Sequence, residues 1–439
     1  MSEAAPKKGG LACYLKDGIF FCHIFMHMQL YNALAIITVL AALFGYINYR
    51  FIKLPDIIGV MVISLVASLA ILGIGLVQPG IFRDATTFIR SIDFYTILIK
   101  IMLSFLLFAG AIHINARELR QERNSILTFS TISVLISTAL VGSLLYFLCR
   151  LLQQPVEFIH CLLFGALISP TDPIAVLGIL RHAKIPSSLE VKIAGESLFN
   201  DGVGIVVFIC LYQVAEAGIG HLSATNVLLL FLRQAGGGLL LGAALGYAGF
   251  LLLRTIDYYQ VEVMITLALV MGGYLLADQL QVSGPLAMVV AGLITGNKTR
   301  ITAMSDTSRD YIDKFWGLVD NLLNAILFLL IGLEMLVIPF SPSLLWLGLA
   351  SILVVLLARY VSVSLPISLL KYNTCFEKNA IGILTWGGIR GGISVALALS
   401  VPAYMHGDLF VVITYIIVLF SIIVQGLTIG RFARKVKTY

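Results

Sequence analysis

Apolar runs of about twenty residues recur along the whole chain, and a run of that length crosses the roughly 30 Å hydrocarbon core of a bilayer as one α-helix. With 59% hydrophobic residues, only 12% charged and a mean hydropathy of +0.99, the 439-residue chain has too little polar surface to cover a water-soluble globule. A membrane β-barrel would instead show alternating segments of about ten residues, and none occurs. The predicted fold class is therefore an all-α polytopic membrane protein.

Runs bounded by charges, Gly/Pro clusters or polar loops predict spans near 30–49, 54–77, 96–115, 125–149, 157–181, 190–214, 225–253, 260–278, 283–297, 316–338, 343–370, 379–401 and 409–430, about thirteen in all. Residues 30–430 then form one transmembrane domain, with no soluble domain left over. The Lys and Arg residues behind the net charge of +6 fall mainly in alternate short loops: Arg50 and Lys53; Arg117, Arg120 and Arg123; Arg181, Lys184 and Lys192; Arg254; Lys298, Arg300, Arg309 and Lys314; Lys371 and Lys378. Such loops face the cytoplasm, so the charge sets topology and implies no nucleic-acid partner. The basic tail 431–439 joins them, which puts the C-terminus in the cytoplasm and the N-terminus outside. Residues 1–29 fit none of these spans and read as an extension, with Met26 or Met28 as an alternative start; no small-residue cleavage site supports a signal peptide. The six cysteines have no ligand or disulfide spacing and read as free thiols.

A charge at mid-bilayer costs at least about 2.5 to 3.5 kcal/mol, so ionisable residues inside spans should pair, face water or handle an ion. In ISPTDPIAVLGIL, Asp172 stands between Pro170 and Pro173. A helical proline donates no N–H, so Pro173 orphans the carbonyl of Ser169 and Pro170 that of Ala166. Freed carbonyls beside a carboxylate suit a small cation, whereas the structural alternative is a proline kink with a solvated aspartate. In the next span, AGESLFNDGVGIVVF, helical spacing stacks Ser197 over Asp201 on one stripe and Glu196 over Asn200 on its neighbour. The first stripe offers oxygen ligands to a hard cation and the second a structural network; a purely structural polar interface is the alternative.

Late in the chain, LTWGGIRGGISVALALSVP sets Arg390 among Gly387, Gly388, Gly391 and Gly392. Two glycine pairs around a buried cation predict a second helix break, although close packing by small residues is also common in membranes. The two breaks fall in spans five and twelve. These are equivalent positions if spans one to six and eight to thirteen are two inverted six-helix repeats whose discontinuous helices cross near the midplane. Glu196 is the expected partner of Arg390. Lys100, Arg233, Glu262, Asp320, Glu334 and Arg359 read as structural or snorkelling charges, and QAGGGLLLGAALG as a helix-packing face.

The motifs SPTDP, GESLFNDG, SGPLAMVVAGLITGN, FLLIGLEM and WGGIRGGISVALALSVP, in that order from about residue 30 onward, resemble the NhaP-type sodium/proton antiporters. The resemblance implies a thirteen-helix homodimer in which a six-helix core moves against a dimerisation domain, carrying its ion by alternating access. It implies Asp201 as the acid that takes either cation or proton, Asp172 as a nearby acid, and Ser197 and Thr171 as neutral ligands of Na⁺. Glu196, Asn200 and Arg390 would support them. Ala109 and Asn115 stand where relatives often carry acids. The short tail separates the chain from the animal exchangers, suggesting a prokaryotic-type protein without tail regulation.

A carboxylate that must be neutralised by Na⁺ or H⁺ before crossing would enforce antiport, and one such acid at Asp201 predicts electroneutral one-for-one exchange. Li⁺ or K⁺ could replace Na⁺, and no cofactor is expected beyond the transported ions. An uncoupled uniporter or channel, or a K⁺-selective antiporter, is the alternative. An intramembrane enzyme is excluded by the lack of GxGD, HExxH and GxSG motifs.

Overall fold

The computed structural model describes residues 31–172, 176–178, 180, 185–218, 223–300, 304–339, 341–370 and 379–434. The expected extension 1–29, Pro173 and most of the basic tail lie outside the described residues. The regular elements among the described residues are helical: α1 (Tyr31–Ile52), α2 (Asp56–Gly75), α3 (Pro79–Arg90), α4 (Thr96–Ile112), α5 (Ala116–Gln121), α6 (Arg123–Leu151), α7 (Phe158–Ile168) and α8 (Ser187–Ala217). They continue with α9 (Ala224–Leu253), α10 (Tyr259–Leu280), α11 (Gly284–Ile294), α12 (Asp306–Glu334), α13 (Pro342–Leu370), α14 (Ala380–Trp386), α15 (Gly392–Leu399) and α16 (Gly407–Ala433).

Nine of the described helices are long and apolar enough to cross a bilayer. The four remaining expected spans hold shorter or interrupted helices: α4, α7, α11 and the pair α14 and α15. The turn after α1 is closed by Lys53 in the left-handed region (φ 59°), and Pro55 then starts α2. Sequence reading did not foresee α3, a twelve-residue helix that buries Ile89 and exposes Arg83, Asp84 and Arg90. Phe82 fills the space beside Gly75 and folds α3 back on α2.

The helices pack as two groups. In one, α2, α4, α9, α10, α11 and α12 contact one another; in the other, α6, α7, α8, α13, α14, α15 and α16 do. Close approach within the first group uses the small-residue run of α9. A Cβ on Gly238 would lie 2.6 Å from the Ser283 carbonyl and one on Gly242 2.4 Å from that of Ala287, so glycine alone permits the α9–α11 contact. Between the groups lies a cavity, and the two interrupted elements meet beside it.

Candidate ion-binding site

Helix α7 stops because Pro170 has no N–H to continue it. The residues that follow leave their polar backbone atoms without helical partners at membrane depth, where such groups must be satisfied by protein. Five of these atoms are met by a side chain or by the other broken element. The Thr171 amide donates to Asn200 Oδ1 (3.3 Å), while Asn200 Nδ2 donates to Thr171 Oγ1 (2.8 Å). The Thr171 carbonyl accepts from the Ser197 hydroxyl. The Asp172 amide donates to the Ile389 carbonyl (2.7 Å), which ties the two breaks together backbone to backbone. Arg390 Nη1 donates to the carbonyls of Ser169 and Pro170, the latter at 3.0 Å. The Ser169 carbonyl is one of the two that sequence reading left orphaned; the other, of Ala166, accepts from the Ser169 amide at 3.4 Å.

The second break lies between Trp386, the last residue of α14, and Gly392, the first of α15. Its glycines make room more than they bend the chain. A Cβ on Gly391 would sit 2.5 Å from Asp172 Oδ2, and one on Gly388 would sit 2.6 Å from Arg359 Nε. From the other side, Gly204 of α8 faces Pro170, whose ring lies 2.4 Å from where a Cβ would be. Both unwound segments thus pass at distances that exclude any side chain.

The expected pairing of Glu196 with Arg390 is incorrect. Glu196 Oε1 accepts from Arg359 Nη1 at 2.5 Å, with both side chains buried. Arg359 also donates through Nε and Nη2 to the Leu384 carbonyl (3.2 and 3.1 Å), close to the C-terminal end of α14, where free carbonyls attract a cation. Arg390 is instead committed to the carbonyl end of α7. Arg359 had been read as a structural or snorkelling charge. It lies eleven residues from the nearer end of α13, roughly 16 Å along the axis, too far to snorkel. Lys192, read as a loop residue, is also buried in α8, paired with Glu122 at 3.4 Å.

Asp172, Asp201, Ser197 and Thr171 line one cavity of about 420 Å³. The stripe of Ser197 and Asp201 faces this cavity, while Glu196 and Asn200 bond to Arg359 and Thr171. Asp56 and His113, at the ends of α2 and α4, also line it, so it opens at the membrane face carrying those helix ends. Of the two positions noted for lacking an acid, Ala109 lines the cavity. Asn115 is not among its lining residues and caps α5 by accepting from the Arg117 amide. Among the described residues no three His, Cys, Asp or Glu side chains form a metal cluster, and Cys149, Cys161 and Cys210 are free thiols. The arrangement can hold a small cation with carboxylate, hydroxyl and carbonyl oxygens, or a proton on a carboxylate.

Comparison with known proteins gives a consistent result. The sequence profile of the transmembrane sodium/hydrogen exchanger family matches residues 38–435. The Na(+)/H(+) antiporter NhaP of Pseudomonas aeruginosa is 49% identical over 415 residues, which cover 92% of this chain and 96% of that protein. The Na(+)/H(+) antiporter NhaH of Halobacillus dabanensis is 31% identical over 420 residues, covering 94% and 98%. The solved structure of the sodium proton antiporter MjNhaP1 from Methanocaldococcus jannaschii superposes with a TM-score of 0.72 at 24% identity, covering 94% of this chain and 100% of that one, and so shares the fold.

Proposed function

Because this chain belongs to the sodium/hydrogen exchanger family, we propose that it exchanges Na⁺ for H⁺ across the membrane by alternating access, with Asp201 as the group that carries either ion. The observation that supports this reading best is the placement of Asp201 and Asp172 in one cavity, beside the crossing of two broken helices. There Ser197 and Thr171 supply neutral oxygen, and Asp172 is the second acid.

Charge counting supports a one-for-one stoichiometry. The site holds three carboxylates, Asp172, Glu196 and Asp201, and two guanidinium groups, Arg359 and Arg390. With all five ionised the empty site carries one net negative charge, which is costly to move through a low-dielectric interior. One Na⁺ or one H⁺ restores neutrality, so the loaded site crosses and the empty one does not. Exchange is then one for one and electroneutral. Glu196 stays outside the exchange because Arg359 holds it.

The distribution of basic loops supports a cytoplasmic position for the open mouth of the cavity, with Asp56 and His113, and for the C-terminus. The moving part is the helix group that carries Asp172 and Asp201, working against the other group within a homodimer. Exchange in proteoliposomes tests the proposal. Na⁺ gradients should drive proton movement that a clamped potential leaves unchanged and that Asp201→Asn abolishes. Flux without proton coupling, or a fully active Asp201→Asn protein, would overturn it in favour of an uncoupled uniporter.

A further inference from the structure

Opposite the acids, the cavity is walled by α12, from the other helix group. Asp320, Asn321 and Asn324 line it there. Asp320 lies fourteen residues into α12 and Asp201 fourteen residues into α8, each roughly 21 Å along its helix axis. Asn324 is one turn beyond Asp320. Its Nδ2 donates to the Asp320 carbonyl (2.8 Å) and to Asp320 Oδ1 (3.0 Å). Both partners are acceptors, so the amide cannot be turned round, and its oxygen points away from them. Asn324 is 1% exposed, and this Oδ1 has no hydrogen-bond partner. A buried amide oxygen without a donor is costly unless something positive reaches it.

We infer that Asp320 and Asn324 form a second cation station, a carboxylate and an amide oxygen that take a partly hydrated monovalent cation on the fixed wall of the cavity and pass it to Asp201. It rests on the antiport reading above and extends it. The station's chemistry is that of a hard, oxygen-preferring cation, and its charge belongs to the helix group that does not carry Asp172 and Asp201. Asp320 therefore leaves the one-for-one count intact. Its field raises the cation concentration near Asp201 and biases which cation arrives.

The test compares wild type, Asp320→Asn, Asp320→Glu and Asn324→Ala in proteoliposomes, with Na⁺ and then Li⁺ titrated from the cavity side. Asp320→Asn should raise the Na⁺ concentration for half-maximal exchange roughly tenfold, with turnover at saturating Na⁺ falling less. Asp320→Glu should restore most of the affinity, and Asn324→Ala should move the Na⁺ to Li⁺ preference in the same direction as Asp320→Asn. Na⁺ titration curves for Asp320→Asn and Asn324→Ala that superpose on wild type would overturn the station. Should Asp320→Asn fail to fold, the Asn324→Ala titration decides alone. Normal exchange by Asp201→Asn under the same conditions would refute the antiport reading itself, whatever Asp320 does.

Discussion

The two broken helices are interrupted by different residues to different ends. The break after α7 is made by proline, which removes a donor and frees carbonyls. The break between α14 and α15 is made by glycine, which removes side chains and lets another backbone and two guanidinium groups come close. Prolines create what must be satisfied, and glycines admit what satisfies it. The proline break should therefore tolerate substitution wherever its partners already hold it, and the glycine break should not tolerate substitution at all.

The largest expected effect is at the charges that occupy this space. Arg359→Met leaves Glu196 buried without its partner, and breaking a buried ion pair in this way costs about 3 to 5 kcal/mol. Thermal melts in detergent should show a large loss for Arg359→Met and for Glu196→Gln, and a smaller one for the double variant than for their sum. Strict additivity would mean that the pair is no unit. Next comes Gly391→Ala, whose methyl would overlap Asp172 and force the two breaks apart. Overpacking of this kind costs about 1 to 3 kcal/mol, and here it displaces a candidate ligand, so exchange should fall below one tenth while the protein still folds. Activity close to wild type would show that the glycines are not there for proximity.

How much of this was legible in the sequence follows from the same contrast. Apolar length and the i, i+4 stripes of α8 are local properties, so the helical class, the two interrupted elements and the division of Ser197 and Asp201 from Glu196 and Asn200 could be read directly. Which arginine meets Glu196 is a tertiary fact. Arg390 carried the more unusual motif and drew the assignment, although Arg359, deep in α13, had depth as its signal. Helix α3 was hidden because Arg83, Asp84 and Arg90 make its hydropathy loop-like, and only helical periodicity would have exposed it. Asp320 and Asn324 were visible as an i, i+4 polar pair, but their direction into the cavity was not.

Asn200 tests the clamp that holds the proline break open. It makes two of the hydrogen bonds to Thr171, and Asn200→Ala leaves a buried amide and a hydroxyl short of partners, a cost of about 1 to 3 kcal/mol. Because the Thr171 carbonyl still accepts from Ser197, the segment should loosen without refolding into helix. The expected outcome is a higher half-saturating Na⁺ concentration with exchange retained, measured in the same vesicles.

Pro170→Ala should do least. If proline alone kept the chain unwound, alanine would let α7 run on through Thr171 and carry Asp172 away from the crossing, and transport would stop. The unwound segment is, however, fixed from outside: by Asn200 and Ser197 at Thr171, by Ile389 at the Asp172 amide, and by Arg390 at the carbonyls of Ser169 and Pro170. Alanine keeps that carbonyl, gains one amide donor and gives up the ring's contact with Gly204. A change of about 1 kcal/mol or less in stability, with Na⁺ affinity within about twofold of wild type, is the expected result. Complete loss of exchange in Pro170→Ala, beside an active Gly391→Ala, would invert the contrast between the two breaks.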